Sequence, residues 1–176
     1  MIQDFHGRPA DTEINGSTVT EEEAAALYGI AIALRPQVIA EIGTGHGRSA
    51  RAFDEAATYL NTVLGLRCHV WTCDTARRQK AAELLHTTFV AGDCLDLVRE
   101  ISTQPELIFI DGTHTTEASR RDYDVMVAFS PGATFIFHDA NNEKDNVANQ
   151  ISGVVSELNG IILRTPYGLG IVQSHG

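Results

Sequence analysis

Short apolar runs recur along this chain with room for one helix between most successive pairs. Val38–Ile42, His69–Asp74, Thr87–Asp93, Leu107–Asp111 and Ala133–Asp139 are too short for buried helices and rich in β-branched and aromatic residues. Such runs read as strands covered on both faces. Helical stretches separate them, from Arg48 to Leu60, Arg77 to Leu85, Leu95 to Ile101 and Thr116 to Phe129. A further helix precedes the first strand: Thr20 and Glu23 have the spacing of a capping box, and the alanine-rich run through Leu34 stops before Pro36. Strands alternating with helices imply a parallel sheet with helices on both faces and right-handed crossovers. The end of the chain breaks this rhythm. After a helix near Asn146 to Leu158, Ile161–Leu163 and Leu169–Val172 are joined only by Arg164-Thr165-Pro166-Tyr167-Gly168. So short a link cannot make a parallel crossover, so these two strands are expected to pair antiparallel. The fold class is therefore α/β, doubly wound and mostly parallel, with seven strands and a C-terminal antiparallel hairpin.

The 176 residues suit one domain over 18–176, preceded by a polar arm over 1–17 that shows no sustained period. A hydrophobic fraction of 43% with 20% charged residues is that of a globular protein. The longest apolar runs fall short of the roughly 20 residues of a membrane helix, and the first residues lack the order of a signal peptide. A cytoplasmic protein without membrane attachment is expected. A net charge of −10 opposes a polyanionic partner, and the largest basic cluster is Arg77-Arg78-Gln79-Lys80. The expected partner is thus a small molecule and not nucleic acid. Cys68, Cys73 and Cys94 form an odd set without zinc-like spacing and read as buried thiols.

In an open parallel sheet, ligands bind beyond the carboxyl ends of the strands, where the strand order reverses. Glu41, Asp74, Asp93, Asp111 and Asp139 stand at the ends of successive strands, which would line five carboxylates along one edge. The first strand runs into Gly43-Thr44-Gly45-His46-Gly47. Glycines at this spacing permit a sharp turn and let a ligand approach the backbone beside a helix N-terminus. Several nucleotide cofactors use such a turn, but a nicotinamide-binding one would place a third glycine or alanine where this chain has Arg48.

From Glu41 to Gly47 the chain resembles the first motif of the class I, Rossmann-like methyltransferases that use S-adenosylmethionine. Asp74 after the second strand and Gly92-Asp93-Cys94 after the third continue the likeness. Phe109-Ile110-Asp111-Gly112-Thr113-His114, Pro131-Gly132 and Phe137-His138-Asp139 are similar to a narrower group, methyltransferase domain 24, which includes cephalosporin-hydroxylase-like and macrolide O-methyltransferases. The resemblance spans residues 20–173. It implies that S-adenosylmethionine is held by Glu41, Gly43, Thr44, Gly45, Gly47, Ser49, Asp74, Thr75, Asp93, Cys94 and Asp111. Glu41 would pair with the ammonium of the methionine moiety, Asp74 would accept from the ribose diol, and Asp93 would orient the adenine amino group.

The resemblance also implies catalytic roles for Asp111, His114 and Asp139, and a divalent metal, Mg or Mn, on Asp111, His138 and Asp139. The chain departs from two related patterns here: catechol methyltransferases carry Asp-Asn where Asp139-Ala140 stands, and the antibiotic-pathway enzymes carry Glu-Asp where His138-Asp139 stands. An imidazole ligand suits manganese, iron or zinc better than magnesium. Two alternatives stay open. In one, His114 acts as a base without a metal; in the other, His138 packs beside its strand while His114 caps the next helix. The expected activity is O-methylation of a hydroxyl on a small molecule. A cofactor-binding module without activity of its own, working in a complex, and a nicotinamide-dependent oxidoreductase are the other readings. The scarcity of lid material beyond residues 1–17 suits a homodimer whose neighbour closes the site. Arg120-Arg121 reads as a solvated helix face and Trp71 as core.

Overall fold

The computed structural model describes residues 19–76, 84–141 and 147–175. The expected arm, the basic cluster at 77–80 and most of the helix expected over Arg77–Leu85 lie outside these residues. Leu84 to His86, at that helix's expected end, are not helical. The Asp54 carboxylate accepts the backbone N–H groups of Leu85 and His86, at 3.3 and 2.7 Å, and so draws the segment against the neighbouring helix instead.

The chain runs α1 (Glu21–Leu34), β1 (Val38–Ile42), α2 (Arg48–Thr62), β2 (His69–Asp74), β3 (Thr87–Ala91), α3 (Cys94–Glu100), β4 (Leu107–Ile110), α4 (Thr116–Phe129), β5 (Thr134–Phe137), α5 (Val147–Glu157), β6 (Ile161–Leu163) and β7 (Leu169–Gln173). The strand order is β3-β2-β1-β4-β5-β7-β6. β1 to β5 are parallel, and β7 enters antiparallel between β5 and β6, as the short link 164–168 requires. Three strands end earlier than their apolar runs. β3 stops at Ala91, β4 at Ile110 and β5 at Phe137, so Asp93, Asp111, His138 and Asp139 stand in the turns beyond. At β5 the cause is visible: Asp139 takes a left-handed φ of 59°, which no strand can continue.

Side-chain alternation divides the core between the two faces of the sheet. Val38, Ala40, Ile108, Phe135 and Phe137 meet Met126 of α4 and Val154 of α5. Ile39, Val70, Phe109 and Ile136 meet Leu27 of α1 and Phe53 of α2. The same period of two sends Glu41, Asp111 and His138 toward the α1–α2 side. Register completes the arrangement. Ile42 lies beside Cys73 and Ile110, and Ile110 beside Phe137, so the next residues of β1, β2, β4 and β5 form a row: Gly43, Asp74, Asp111 and His138. The three cysteines are buried and free, as expected, and Trp71 is half-buried against the core. Among the described residues no helix is long and apolar enough to cross a membrane.

Candidate active site

Strand order reverses between β1 and β4, and the crevice there opens into a cavity of about 340 Å³. One wall is the glycine turn. Gly43 has φ 95°, and a Cβ on it would lie 2.1 Å from the Asp111 carbonyl oxygen, so only glycine lets the turn fold against the end of β4. The N–H groups of Gly43 and Thr44 both donate to the Cys73 carbonyl, at 2.9 and 3.1 Å, which closes the turn over β2. The Gly45 N–H donates to Asp74 Oδ2 at 2.9 Å, and Ala76 N–H to Asp74 Oδ1 at 2.8 Å. Asp74 thereby fixes the turn while its side chain, with Thr75, faces the cavity.

Gly47 lies off the cavity wall, where its φ of 83° turns the chain into α2. It has no side chain to cap α2, whose N-terminal N–H groups and positive dipole end begin beside Ser49 on the wall. Opposite stand Asp93 and Cys94. Asp93 is also the N-cap of α3, accepting from Leu95 N–H at 2.9 Å in a capping box with Asp96. Burial, then the neighbouring Asp122, pushes the Cys94 thiol up to about 12, so it stays protonated.

Glu41 is placed differently from expectation. It is wholly enclosed behind Ser49 and Thr72 and does not reach the cavity wall. Its Oε2 accepts from the Thr72 hydroxyl at 2.5 Å, and Thr72 in turn bonds Thr44 at 2.6 Å. Direct pairing with a ligand's ammonium is therefore not what this geometry offers; Glu41 braces the turn from beneath. Burial raises its carboxyl to about 7, against the lowering effect of the Ser49 and Thr72 hydroxyls.

Asp111 and His114 line the same cavity at its other end, and His138 and Asp139 sit directly behind them. His114 Nδ1 is 2.5 Å from Asp139 Oδ2 and 3.9 Å from Asp111 Oδ1. Its ring is 43% exposed, so the far nitrogen is open to a ligand. It does not cap α4, because Thr115 does, accepting from Ala118 N–H at 3.3 Å. His138 Nδ1 lies 3.1 Å from Asp111 Oδ1 and 3.4 Å from Asp139 Oδ1. Neither approach has the direction of a hydrogen bond. Asp111 Oδ1, His138 Nδ1 and Asp139 Oδ1 are thus all buried without a hydrogen-bond partner. One ligand atom from each of these residues falls within 4.8 Å of the others, the arrangement of a small cation site.

The charges in this knot are mutually dependent. Burial opposes a charge on His138, but Asp111, Asp139 and Glu23 outweigh it and lift the imidazole to about 12. The Asp139 carboxyl is held well below its usual range: the bond to His114 and the charged His138 ring beside it overcome burial. Burial raises Asp111, only partly countered by His138. The bond to Asp139 raises His114.

Several participants escaped the sequence reading. Glu23 does more than close its capping box. It is fully buried, its Oε2 lies 3.3 Å from His138 Nε2, and its Oε1 accepts from the Thr165 hydroxyl at 2.9 Å and the Tyr167 N–H at 2.8 Å. Burial would raise it, yet these bonds hold it near 2, so it is a carboxylate. Arg121, read as part of a solvated face, and the next residue, Asp122, both line the cavity, and Asp122 is buried. The signal was present: Ser119, Asp122, Tyr123 and Met126 form a stripe at helical spacing that places Asp122 on the inward side of α4. Arg120 does lie on the solvated face, paired with Asp124 and Glu157.

A family model described as a methyltransferase domain matches residues 40–140, from β1 to just past β5. A search of the curated proteins finds no match. Among solved structures, cofactor-bound Rv0187 from MTB superposes with a TM-score of 0.71 at 17% identity, over 89% of this chain and 81% of that one. The O-methyltransferase from Bacillus cereus in complex with SAH gives 0.66 at 16%, over 92% and 84%. The O-methyltransferase TomG from Streptomyces achromogenes, involved in tomaymycin synthesis and in complex with SAM, gives 0.63 at 15%, over 90% and 82%. These likenesses show the shared fold, and the match over residues 40–140 spans the glycine turn, Asp74, Asp93, Asp111, His114, His138 and Asp139. The chain belongs to the methyltransferase-domain family.

Proposed function

We propose that the protein transfers a methyl group from S-adenosylmethionine to a hydroxyl of a small molecule, with a divalent cation at Asp111, His138 and Asp139. One observation carries this reading: the nucleotide-sized cavity ends at Asp111 and His114, and three buried ligand atoms without hydrogen-bond partners stand immediately behind. The donor and acceptor halves of a transferase meet there. Asp74 has lone pairs left for a ribose diol after its two backbone bonds, and Asp93 and Cys94 flank the adenine end. The solved relatives in complex with SAM and SAH support the same cofactor.

The cation fits because the three atoms that would hold it are buried, lack a hydrogen-bond partner and converge within 4.8 Å of one another. When bound, a divalent cation lowers the pKa of a hydroxyl beside it. His114 supplies the base. With its Nδ1–H donated to Asp139, its Nε2 accepts the hydroxyl proton as the oxygen attacks the sulfonium methyl carbon. The C–O bond forms, the C–S bond breaks and S-adenosylhomocysteine leaves. The cavity walls align the two reactants and exclude water.

Calorimetry tests the cofactor: S-adenosylhomocysteine should bind at micromolar concentration and NAD should not, and the reverse would refute the reading. The metal is tested by methyl transfer to catechol-like and sugar hydroxyl acceptors with and without chelator. Turnover unchanged by chelator and by Asp139→Ala would remove the cation from the mechanism.

A further inference from the structure

We propose that Glu23 is a positioning residue for the candidate cation site: its carboxylate fixes the tautomer and ring orientation of His138, so that Nδ1 presents a lone pair between Asp111 and Asp139. This deepens, and rests on, the metal reading above.

Two sequence-distant elements create the arrangement. Alternation along β5 sends His138 toward α1, and the capping box at Thr20 holds the Glu23 side chain back over the helix N-terminus, where it faces the ring. A carboxylate can only accept, so the 3.3 Å contact with Nε2 requires the proton on Nε2. When a cation takes the place of the Nδ1 proton, Nδ1 is the ring atom left to ligate it, 3.1 and 3.4 Å from the two aspartate oxygens that share its lack of a hydrogen-bond partner. Ligating histidines commonly donate their other ring N–H to a carboxylate, and losing that partner typically weakens metal affinity about 10–100-fold.

Glu23 is itself held from both sides. Oε2 accepts from the Thr20 N–H at 2.9 Å and the Thr20 hydroxyl at 3.1 Å, and Oε1 from Thr165 and Tyr167 of the β6–β7 link. Every atom facing the carboxylate is thus a donor. Glutamine at this position would have to aim its NH2 at one group of donors. Aimed at His138, it would favour Nε2 as acceptor and move the ring proton onto Nδ1, where it obstructs a cation.

The test combines Mn²⁺ titration followed by electron paramagnetic resonance with a long-range ¹H–¹⁵N spectrum of the histidines in Zn²⁺-loaded protein. Glu23→Gln should bind Mn²⁺ about 10–100-fold more weakly than wild type, while binding S-adenosylhomocysteine equally, since Glu23 does not line that cavity. Thr165→Val removes one donor to the other oxygen and leaves the His138 contact in place, so its Mn²⁺ affinity should stay within about threefold of wild type. Wild-type His138 should show a protonated Nε2 and a ligated Nδ1. A proton on Nδ1 overturns the proposal even if the glutamine variant fails to fold. Equal Mn²⁺ affinity in wild type and Glu23→Gln, or an equal loss in Thr165→Val, overturns it while the metal site stands. A wild-type protein that takes up no Mn²⁺ removes both.

Discussion

Glu41 shows how an acid can mark a site without lining its cavity. It heads the glycine motif, yet the strand's period of two turns it under the turn, where Ser49 and Thr72 are its partners. Its enclosure has a pH signature. The carboxyl rises from an ordinary 4.5 to about 7 in the folded protein, because burial penalises the charged form. A group with a raised folded pKa stabilises the fold fully below its unfolded pKa, and that stability is lost as pH rises through the folded value. Between pH 4.5 and 7 the ligand-free protein should therefore lose on the order of 3 kcal/mol through this residue. Glu41→Gln keeps the volume and can accept from Thr72, but it does not titrate. Urea unfolding from pH 5 to 8.5 should show the variant gaining on wild type as pH rises. A difference independent of pH would mean that Glu41 is ionised at little cost. At this scale the sequence was a partial guide. Asp74, Asp93, Asp111 and His114 do face the cavity, because each stands at the end of a parallel strand or in the turn beyond it, where the crevice opens. Glu23 was hidden because its capping role already accounted for it, and its contact with His138 spans 115 positions.

Elements explain why that long contact closes. The antiparallel hairpin β6–β7 was legible from the five-residue link alone, but its function was not: the link holds the segment after Asp139. The Ala140 N–H donates to the Gly168 carbonyl at 3.1 Å and the Asn141 N–H to the Tyr167 carbonyl at 2.7 Å, while Asp139 keeps its left-handed φ. No sequence periodicity reports such backbone pairing. Gly168 sits at φ 85°, and a Cβ there would come 2.3 Å from the Asn141 nitrogen. Gly168→Ala should therefore cost about 2–4 kcal/mol, from left-handed strain of roughly 1–2 and overlap with backbone of at least 1. Urea unfolding measures this directly, and a loss below about 0.5 kcal/mol would show that the hairpin can lift away freely. Where local signals were strong, as at Thr116–Phe129 with its Thr115 cap, the helix matches its expected bounds. Where a carboxylate such as Asp54 captures backbone N–H groups from 31 and 32 residues away, local propensity is overruled.

At the scale of the molecule, the reversal of strand order divides the site into two halves with Asp111 at the seam. β1 to β3 carry the glycine turn, Asp74 and Asp93 to one side; β4 and β5 carry His114, His138 and Asp139 to the other. Asp111 lines the cavity and also offers Oδ1 to the candidate cation site. The topology then dictates a pattern of loss that no single residue shows. Asp74→Asn should weaken S-adenosylhomocysteine binding about 10–100-fold, the worth of one hydrogen bond to a charged acceptor, and leave Mn²⁺ binding intact. Asp139→Asn should do the opposite. Asp111→Asn alone should weaken both, measured by calorimetry for each ligand on the same preparations. If Asp111→Asn impairs only one, the two halves are independent sites that happen to be neighbours. If Asp74→Asn and Asp139→Asn each impair both, the coupling runs through the sheet as a whole and is not confined to the carboxylate at its switch point.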